Sequence, residues 1–393
     1  MKFQRCFILE PNLKKSYGHV VEFPFALQEY LEEVGTETFV ICNKQIDKKL
    51  LSSLKNAYPF ISEGCFDKLE DNGEKFSSDL SELNSRFQFT RDDLVVNLTS
   101  YTNQIYGISK FINQNKKNKT TFCLWFHQLY PPTKVFSETL SPGFRRNIVH
   151  GLSKAFKEIN NFNTVRLFTT LSDALREEFE KLSQTRVYQL PLPYSNRSAK
   201  KKSKRDNNKT FGFLGDGRYE KGALLVLELM EQDTNPTNRY IVENIYPRGY
   251  SEIDLNKLNN LRKKLFAKTN IKFIDEPLSS KEYKDTLSKI DVFLMPYHPR
   301  SYDKRVSGIF IEATMVGVPV IATDNTWMAK QIKKYQNGFV FDYSSGVNGL
   351  SKAVQNIVSN YEMFRNNAIL ASQAYNQIHS PENFINMLLK SLS

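Results

Sequence analysis

The stretch Phe211-Gly-Phe-Leu-Gly-Asp-Gly-Arg-Tyr-Glu-Lys-Gly222 runs from an apolar strand through a loop containing Gly215, Gly217 and Gly222 into the helix-forming residues Ala223 to Met230. A strand that feeds a helix through such a loop leaves backbone amides at the helix N-terminus. Those amides and the helix dipole together attract phosphate. Arg218 and Lys221 put two cations at the same mouth. Arginine offers a planar fork to phosphate oxygens and lysine a mobile point charge. The loop is neither a Walker A sequence nor a G-x-G-x-x-G fingerprint. Taken alone, it reads equally well as an ordinary βα turn carrying surface charges.

Further along the second half, strands and helices keep alternating. Strands are expected over Thr210 to Leu214, Ile271 to Ile274, Asp291 to Met295 (ended by Pro296) and Val318 to Thr323. Ser279 with Glu282 forms a capping box that opens a helix. A second helix, Ile309 to Val316, stops at Gly317, and a last one starts at Ser380-Pro381 and runs through Leu389. Short apolar strands separated by helices predict a parallel sheet covered on both faces.

A second informative stretch is Val306-Ser-Gly-Ile-Phe-Ile-Glu-Ala-Thr-Met-Val-Gly-Val-Pro-Val-Ile-Ala-Thr323. Ser307, Gly308 and Ile309 open a helix, so their amides make another anion-ready terminus. Glu312 lies about one turn in, among Phe310, Ile311, Ala313 and Met315. A half-buried carboxylate there can accept two vicinal hydroxyls, as a ribose presents them. A glutamate that merely complements the helix dipole would look the same in sequence.

The two stretches, in this order, resemble the donor domain of GT-B glycosyltransferases, especially the retaining family 4. The resemblance is carried by Arg218, Lys221 and Gly222, and by Ser307, Gly308, Glu312, Ala313, Gly317, Pro319, Val320 and Ile321. It implies a donor-binding set of Gly217, Arg218, Lys221, Ser307, Gly308, Ile309 and Glu312, with the cations on the diphosphate and Glu312 on the ribose. Relatives often carry a pair of glutamates, the first touching the transferred sugar. Lys304 stands at that first position here, with Asp303 beside it, and these two become the candidate sugar contacts. The implied reaction moves a sugar from a nucleoside-diphosphate sugar to a hydroxyl acceptor, with retention. The protein's own cations would stabilise the leaving diphosphate, so neither a metal nor a cofactor is expected. Two other activities fit the same motifs: a nucleotide-sugar epimerase of this fold, and a non-catalytic or regulatory protein that binds sugar nucleotides.

The first half repeats the α/β alternation, with strands over Cys6 to Leu9, Thr38 to Cys42, Leu94 to Leu98, Thr121 to Phe126 and Val165 to Thr170. Helices are expected over Phe23 to Val34 and Asp173 to Leu182, the latter capped by Ser172. Residues 43 to 93 are polar and weakly periodic, and their structure stays open. Ser16-Tyr-Gly-His-Val20 follows the first strand, where the resembled family has a glycine loop facing donor and acceptor. Gly18 permits close backbone approach. His19 reads as an acceptor contact or as a loop cap. His127 ends the strand Thr121 to Phe126, on the side where open α/β sheets bind ligands. It joins Arg218 and Lys221 as a candidate catalytic group, a solvent-facing loop histidine being the plainer reading.

Length and composition agree with two domains. The chain has 393 residues, 40% hydrophobic and 24% charged, too many for one compact core. The expected architecture is two Rossmann-like doubly wound α/β domains facing across a cleft. The boundaries are an acceptor domain over 1–194, a basic linker over 195–209, a donor domain over 210–375, and a helical tail over 376–393 that packs back on the first domain. No apolar run reaches the length of a membrane span, the N-terminus lacks signal-peptide features, and the expected location is the cytoplasm. Cys6, Cys42, Cys65 and Cys123 are scattered and read as core residues. The net charge of +12 includes the run Lys200, Lys201, Lys202, Lys204 and Arg205. That run lacks the aromatic interleaving of nucleic-acid motifs. It reads as a solvated linker, and leaves open weak attraction to an anionic surface at the inner face of the membrane.

Overall fold

The computed structural model describes residues 3–15, 19–67, 71–131, 136–195, 208–243 and 245–392. Gly18 and the basic run from Lys200 to Arg205 lie outside the described residues, as does the side chain of His19. The chain divides into two compact units. One holds Met1–Pro131, Pro142–Ser195 and His379–Ser393; the other holds Pro132–Ser141 and Asn196–Ile378.

In the first unit, β1 (Arg5–Glu10), β2 (Glu37–Asn43), β3 (Ala57–Ile61), β4 (Asp93–Asn97), β5 (Thr121–Phe126), β6 (Val165–Thr170) and β7 (Val187–Leu190) form one sheet. Its order is β3-β2-β1-β4-β5-β6-β7 and each described pairing is parallel. Strands such as Arg-Cys-Phe-Ile-Leu-Glu and Thr-Phe-Cys-Leu-Trp-Phe are buried nearly end to end. Helices that cover both faces of a parallel sheet produce this continuous apolar pattern. The four cysteines are free and buried, small apolar residues of the core.

Among the described residues, 44–92 hold two helices and a strand. The longer helix, Glu74–Phe87, starts from Gly73 at φ 75° with no side-chain cap, so it carries no start signal of the kind that marks Asp173–Ser183. In that helix Ser172 Oγ accepts from Leu175 N.

The C-terminal helix Pro381–Ser391 is part of the first unit. Phe384 meets Trp125 edge-on with ring centres 5.2 Å apart, and Ser380 Oγ caps the helix by accepting from Asn383 N at 3.1 Å. The approach to this helix is pinned at His379. The Leu192 amide donates to His379 Nδ1 at 3.1 Å, and the Tyr194 amide donates to its carbonyl at 2.9 Å.

Burial pushes the His379 imidazole down from 6.5 to about 3. A depressed pKa means that below about pH 6.5 the unfolded chain takes up a proton that the folded chain resists. Stability linked to this group is therefore complete above pH 6.5 and falls as the pH drops toward 3. Thermal unfolding followed from pH 7 to about pH 4 is expected to show that fall, and His379→Gln, which keeps an acceptor for Leu192, to flatten it. An identical pH profile in the variant would remove His379 as the cause.

In the second unit, β8 (Lys209–Phe213), β9 (Asp216–Arg218), β10 (Asn238–Glu243), β11 (Ile245–Arg248), β12 (Ile271–Ile274), β13 (Val292–Met295), β14 (Val320–Thr323) and β15 (Gly338–Phe341) follow in the chain. The main sheet runs β12-β10-β8-β13-β14-β15, and β9 pairs with β11 as a separate ribbon. Each described pairing here is parallel too. The strand expected from Val318 begins at Val320, because Pro319 accepts from Phe293 N through its carbonyl but has no N–H for the ladder. The architecture is thus two Rossmann-like α/β units, each on a parallel sheet.

Candidate functional site

In the second unit the chain leaves β8 first toward β10 and later returns on the other side as β13. The carboxyl ends of β8 and β13 therefore border the point where the strand order reverses, the place where open α/β sheets bind ligands. The loop after β8 is built to sit tightly there. Gly215 has φ +109°, and a side chain at that position would meet Ile309 Cδ1 at 2.6 Å and Lys221 Nζ at 2.7 Å. Its amide donates to Glu243 Oε2 at 2.7 Å, at the end of β10. A turn over Tyr219–Lys221 leads to Gly222, at φ +78°, where a Cβ would lie 2.2 Å from the Pro296 carbonyl. Only glycine accommodates both the left-handed backbone and the contact with the chain leaving β13. The His298 amide donates to the Glu220 carbonyl at 2.8 Å, a further tie between the two loops. Phe136, on a short helix (Phe136–Leu140) of this unit, packs against the turn, its ring centre 5.5 Å from Tyr219 and, edge-on, 4.9 Å from His298.

The cations of this loop are gathered around carboxylates. Lys221 Nζ lies 2.6 Å from Asp216 Oδ1, and Arg218 Nε lies 3.0 Å from Asp216 Oδ2. Arg218 Nη1 reaches Glu220 Oε1 at 2.8 Å, and Nη2 donates to the Tyr302 hydroxyl at 3.4 Å. Arg305 approaches Glu220 Oε1 at 3.7 Å. Arg248 also binds Asp216, placed there by the β9–β11 bridge, in which it stands opposite Arg218. The Lys221 and Arg218 side chains are only 7% and 13% exposed, that of Arg248 56%.

Burial raises the pKa of the Asp216 carboxyl, but the Lys221 and Arg218 cations outweigh it and hold the carboxylate well below its usual range. Burial likewise opposes charge on Arg218, and Tyr302, Glu220 and Asp216 more than restore it. Glu243 moves the other way: burial raises it, with the Gly215 amide and Lys221 holding it back only in part.

The second jaw is the helix Gly308–Met315. Ser307 caps it, with Oγ accepting from Phe310 N at 3.3 Å. The first amides, Gly308 and Ile309, lie where a helix has no internal acceptor for them. The buried Tyr297 hydroxyl is hydrogen-bonded with the Ser307 side chain and lies within electrostatic reach of Arg218. Ile309 packs on Gly215, so the two stretches picked out in the sequence meet. Glu312 is 8% exposed, and its Oε2 accepts from the Tyr283 hydroxyl at 2.9 Å. Asp303 and Lys304 follow the short helix Pro299–Tyr302, where the Lys304 amide donates to Asp303 Oδ1 at 2.9 Å.

His127 belongs to the first unit. Its Nε2 is 2.8 Å from the Leu98 carbonyl, and its ring centre is 4.3 Å from that of Trp125. The ring is thus held against the end of β4 as well as at the exit of β5. Sequence reasoning did not pick out Asp216, Glu220, Glu243, Arg248, Tyr283 or Tyr302. Asp216 and Glu220 stood inside the glycine loop as ordinary turn residues. The other four reach the site only by strand pairing and helix packing. Among the described residues no group of histidine, cysteine, aspartate or glutamate is arranged to hold a metal ion, and no helix is long and apolar enough to cross a membrane.

Residues 195–375 match the family model described as Glycosyl transferases group 1. No curated protein matches the chain by sequence. Sucrose-phosphate synthase from Thermosynechococcus elongatus superposes with a TM-score of 0.68 at 13% identity, covering 99% of both chains. Anabaena Alr3699/HepE in complex with UDP and glucose gives a TM-score of 0.67 at 13% identity over 98% of both chains. The catalytic domain of Starch Synthase IV from Arabidopsis thaliana, bound to ADP and acarbose, gives 0.68 at 12% identity over 100% of both. At these identities the structural likeness establishes the GT-B fold. The family match adds that the chain is a transferase of glycosyl groups.

Proposed function

We propose that this chain transfers a sugar from a nucleoside-diphosphate sugar to a hydroxyl acceptor, with retention and without a bound metal, as family 4 enzymes do. The observation that carries the reading is the meeting of two buried cations, Lys221 and Arg218, with the helix terminus at Ser307-Gly308, at the sheet's switch point. When the glycosidic bond breaks, negative charge builds on the leaving diphosphate. Preorganised cations and amide dipoles in a water-poor site stabilise that charge without further reorganisation. Glu312, one turn into the helix and held by Tyr283, would take the ribose hydroxyls and so set how far the nucleoside enters. Gly217 lies in β9 between Asp216 and Arg218, where its backbone lines the cation cluster. Asp303 and Lys304 would face the sugar, and Gly18, His19 and His127 belong to the acceptor side of the reaction. The protein's cations do the charge stabilisation that a divalent metal performs elsewhere. UDP, UDP-glucose and ADP, which are bound in solved structures of similar fold, are the first donor chemistries to try.

The test is to incubate the full chain with UDP- and ADP-sugars and a panel of glycan, lipid and small-molecule hydroxyl acceptors, with and without a chelator. Nucleoside diphosphate is expected to be released in an acceptor-dependent manner and to survive chelation. Binding without release from any donor would instead mark a sugar-nucleotide-binding protein. An epimerised sugar would mark an epimerase.

A further inference from the structure

The donor cations of this site are already neutralised inside the protein. Asp216 alone takes Lys221 at 2.6 Å, Arg218 at 3.0 Å and, across the β9–β11 bridge, Arg248. Glu220 takes the remaining fork of Arg218 at 2.8 Å. A carboxylate presents two oxygens to these donors much as a phosphate presents two of its own, and arginine binds both in the same forked geometry. An incoming diphosphate therefore competes with Asp216 for the same hydrogen-bond donors.

We propose that Asp216 is a built-in counter-anion, which the donor's diphosphate displaces from Lys221 and Arg248 and which drives off the more highly charged product. The inference rests on the donor-site reading above and adds a role for two residues outside its motif. The exchange is cheap at Arg248, whose side chain is 56% exposed and bound to Asp216 at the surface, so it can turn without opening the buried part of the network. Lys221 is 7% exposed and packs over Gly215, so it needs only a small movement to change partners.

The charge asymmetry follows from the chemistry of the reaction. A nucleoside-diphosphate sugar carries two phosphate charges. Once the sugar has left, the terminal phosphate is substituted only by its anhydride link, has a second pKa of about 6 and carries close to one more charge at neutral pH. A fixed carboxylate a few ångströms away repels the product more than the donor, and burial weakens screening by water. In the unliganded site Lys221 and Arg218 hold Asp216 well below its usual range, so it enters the exchange as the carboxylate. Binding and release are thereby both served: three cations recognise the diphosphate, and one carboxylate stops the product from staying.

A scaffold role for Asp216 predicts the opposite effect of mutation, which makes the test decisive. Titration calorimetry on the full-length chain would compare UDP, ADP, UDP-glucose and ADP-glucose for the parent protein and Asp216→Asn. The variant is expected to bind UDP or ADP about tenfold more tightly, to gain less for the sugar nucleotide, and to be inhibited more strongly by product. Unchanged or weaker binding in Asp216→Asn, with an unaltered unfolding temperature, overturns the inference and leaves the donor site standing. A parent protein that binds none of the four ligands overturns both readings.

Should Asp216→Asn fail to fold, Arg248→Met carries the test, since its exposed side chain does not hold the core. It is expected to lower UDP or ADP affinity several-fold. Equal affinity would show that Arg248 never moves to the phosphate.

Discussion

Replacing Lys221 with alanine is expected to lower kcat/KM by about 100- to 1,000-fold, the size of effect seen when one preorganised charge-stabilising group is removed from a site where charge develops. The argument starts from burial. A lysine 7% exposed, beside the switch point and next to Asp216, has its charge concentrated by low-dielectric surroundings. In the proposed reaction the leaving diphosphate gains most from such a charge in the transition state. The fold should survive the change, because Asp216 keeps Arg218 and Arg248 as partners and is not left as an unpaired buried charge. Steady-state kinetics with the best donor, titration of its nucleoside diphosphate and a melting curve together check this. Undiminished turnover and affinity would take the diphosphate away from Lys221.

The Glu312→Ala substitution is expected to cost about 100-fold in affinity for the nucleoside diphosphate, as two charge-assisted hydrogen bonds to a ribose are lost. Glu312 is buried about one turn into Gly308–Met315, and Tyr283 donates to it at 2.9 Å. That donor fixes the plane of the carboxylate, so Tyr283→Phe should give a smaller loss, about fivefold, through orientation alone. A graded pair of this kind separates ligand binding from packing. If Glu312→Ala lowers only the melting temperature and leaves nucleotide affinity intact, the carboxylate serves the helix and not the ribose. Comparing a nucleoside diphosphate with inorganic pyrophosphate sharpens the result, because pyrophosphate has no ribose and its binding should be insensitive to both substitutions.

Lys221 and Glu312 are both legible in the chain alone, and the reason is local. A glycine loop between strand and helix, a serine cap and a carboxylate one turn along announce themselves within a few residues, because helix termini and left-handed turns are governed by their immediate neighbours. The capping box at Ser279 and Glu282 and the caps at Ser172, Ser307 and Ser380 are of the same kind. Where such signals are missing, sequence leaves the structure open. The helix Glu74–Phe87 has a left-handed glycine in place of a side-chain cap, and the carboxylate that steadies this region, Asp79, takes both the amide and the hydroxyl of Ser62 across intervening chain.

Sequence by itself determined that the chain would build two parallel-sheet α/β units, that phosphate-seeking amides and two cations would stand at one mouth in the second, and that Glu312 would lie one turn into the adjoining helix. Only the tertiary structure decided what those groups touch. It brings Glu243 to the Gly215 amide, Arg248 to Asp216, Tyr302 to Arg218 and Tyr283 to Glu312. Each of these partners comes from another strand or helix, and non-local pairing leaves no periodic trace in sequence. The physical consequence is that a loop legible as two free cations is, once folded, a cluster already holding its own anion.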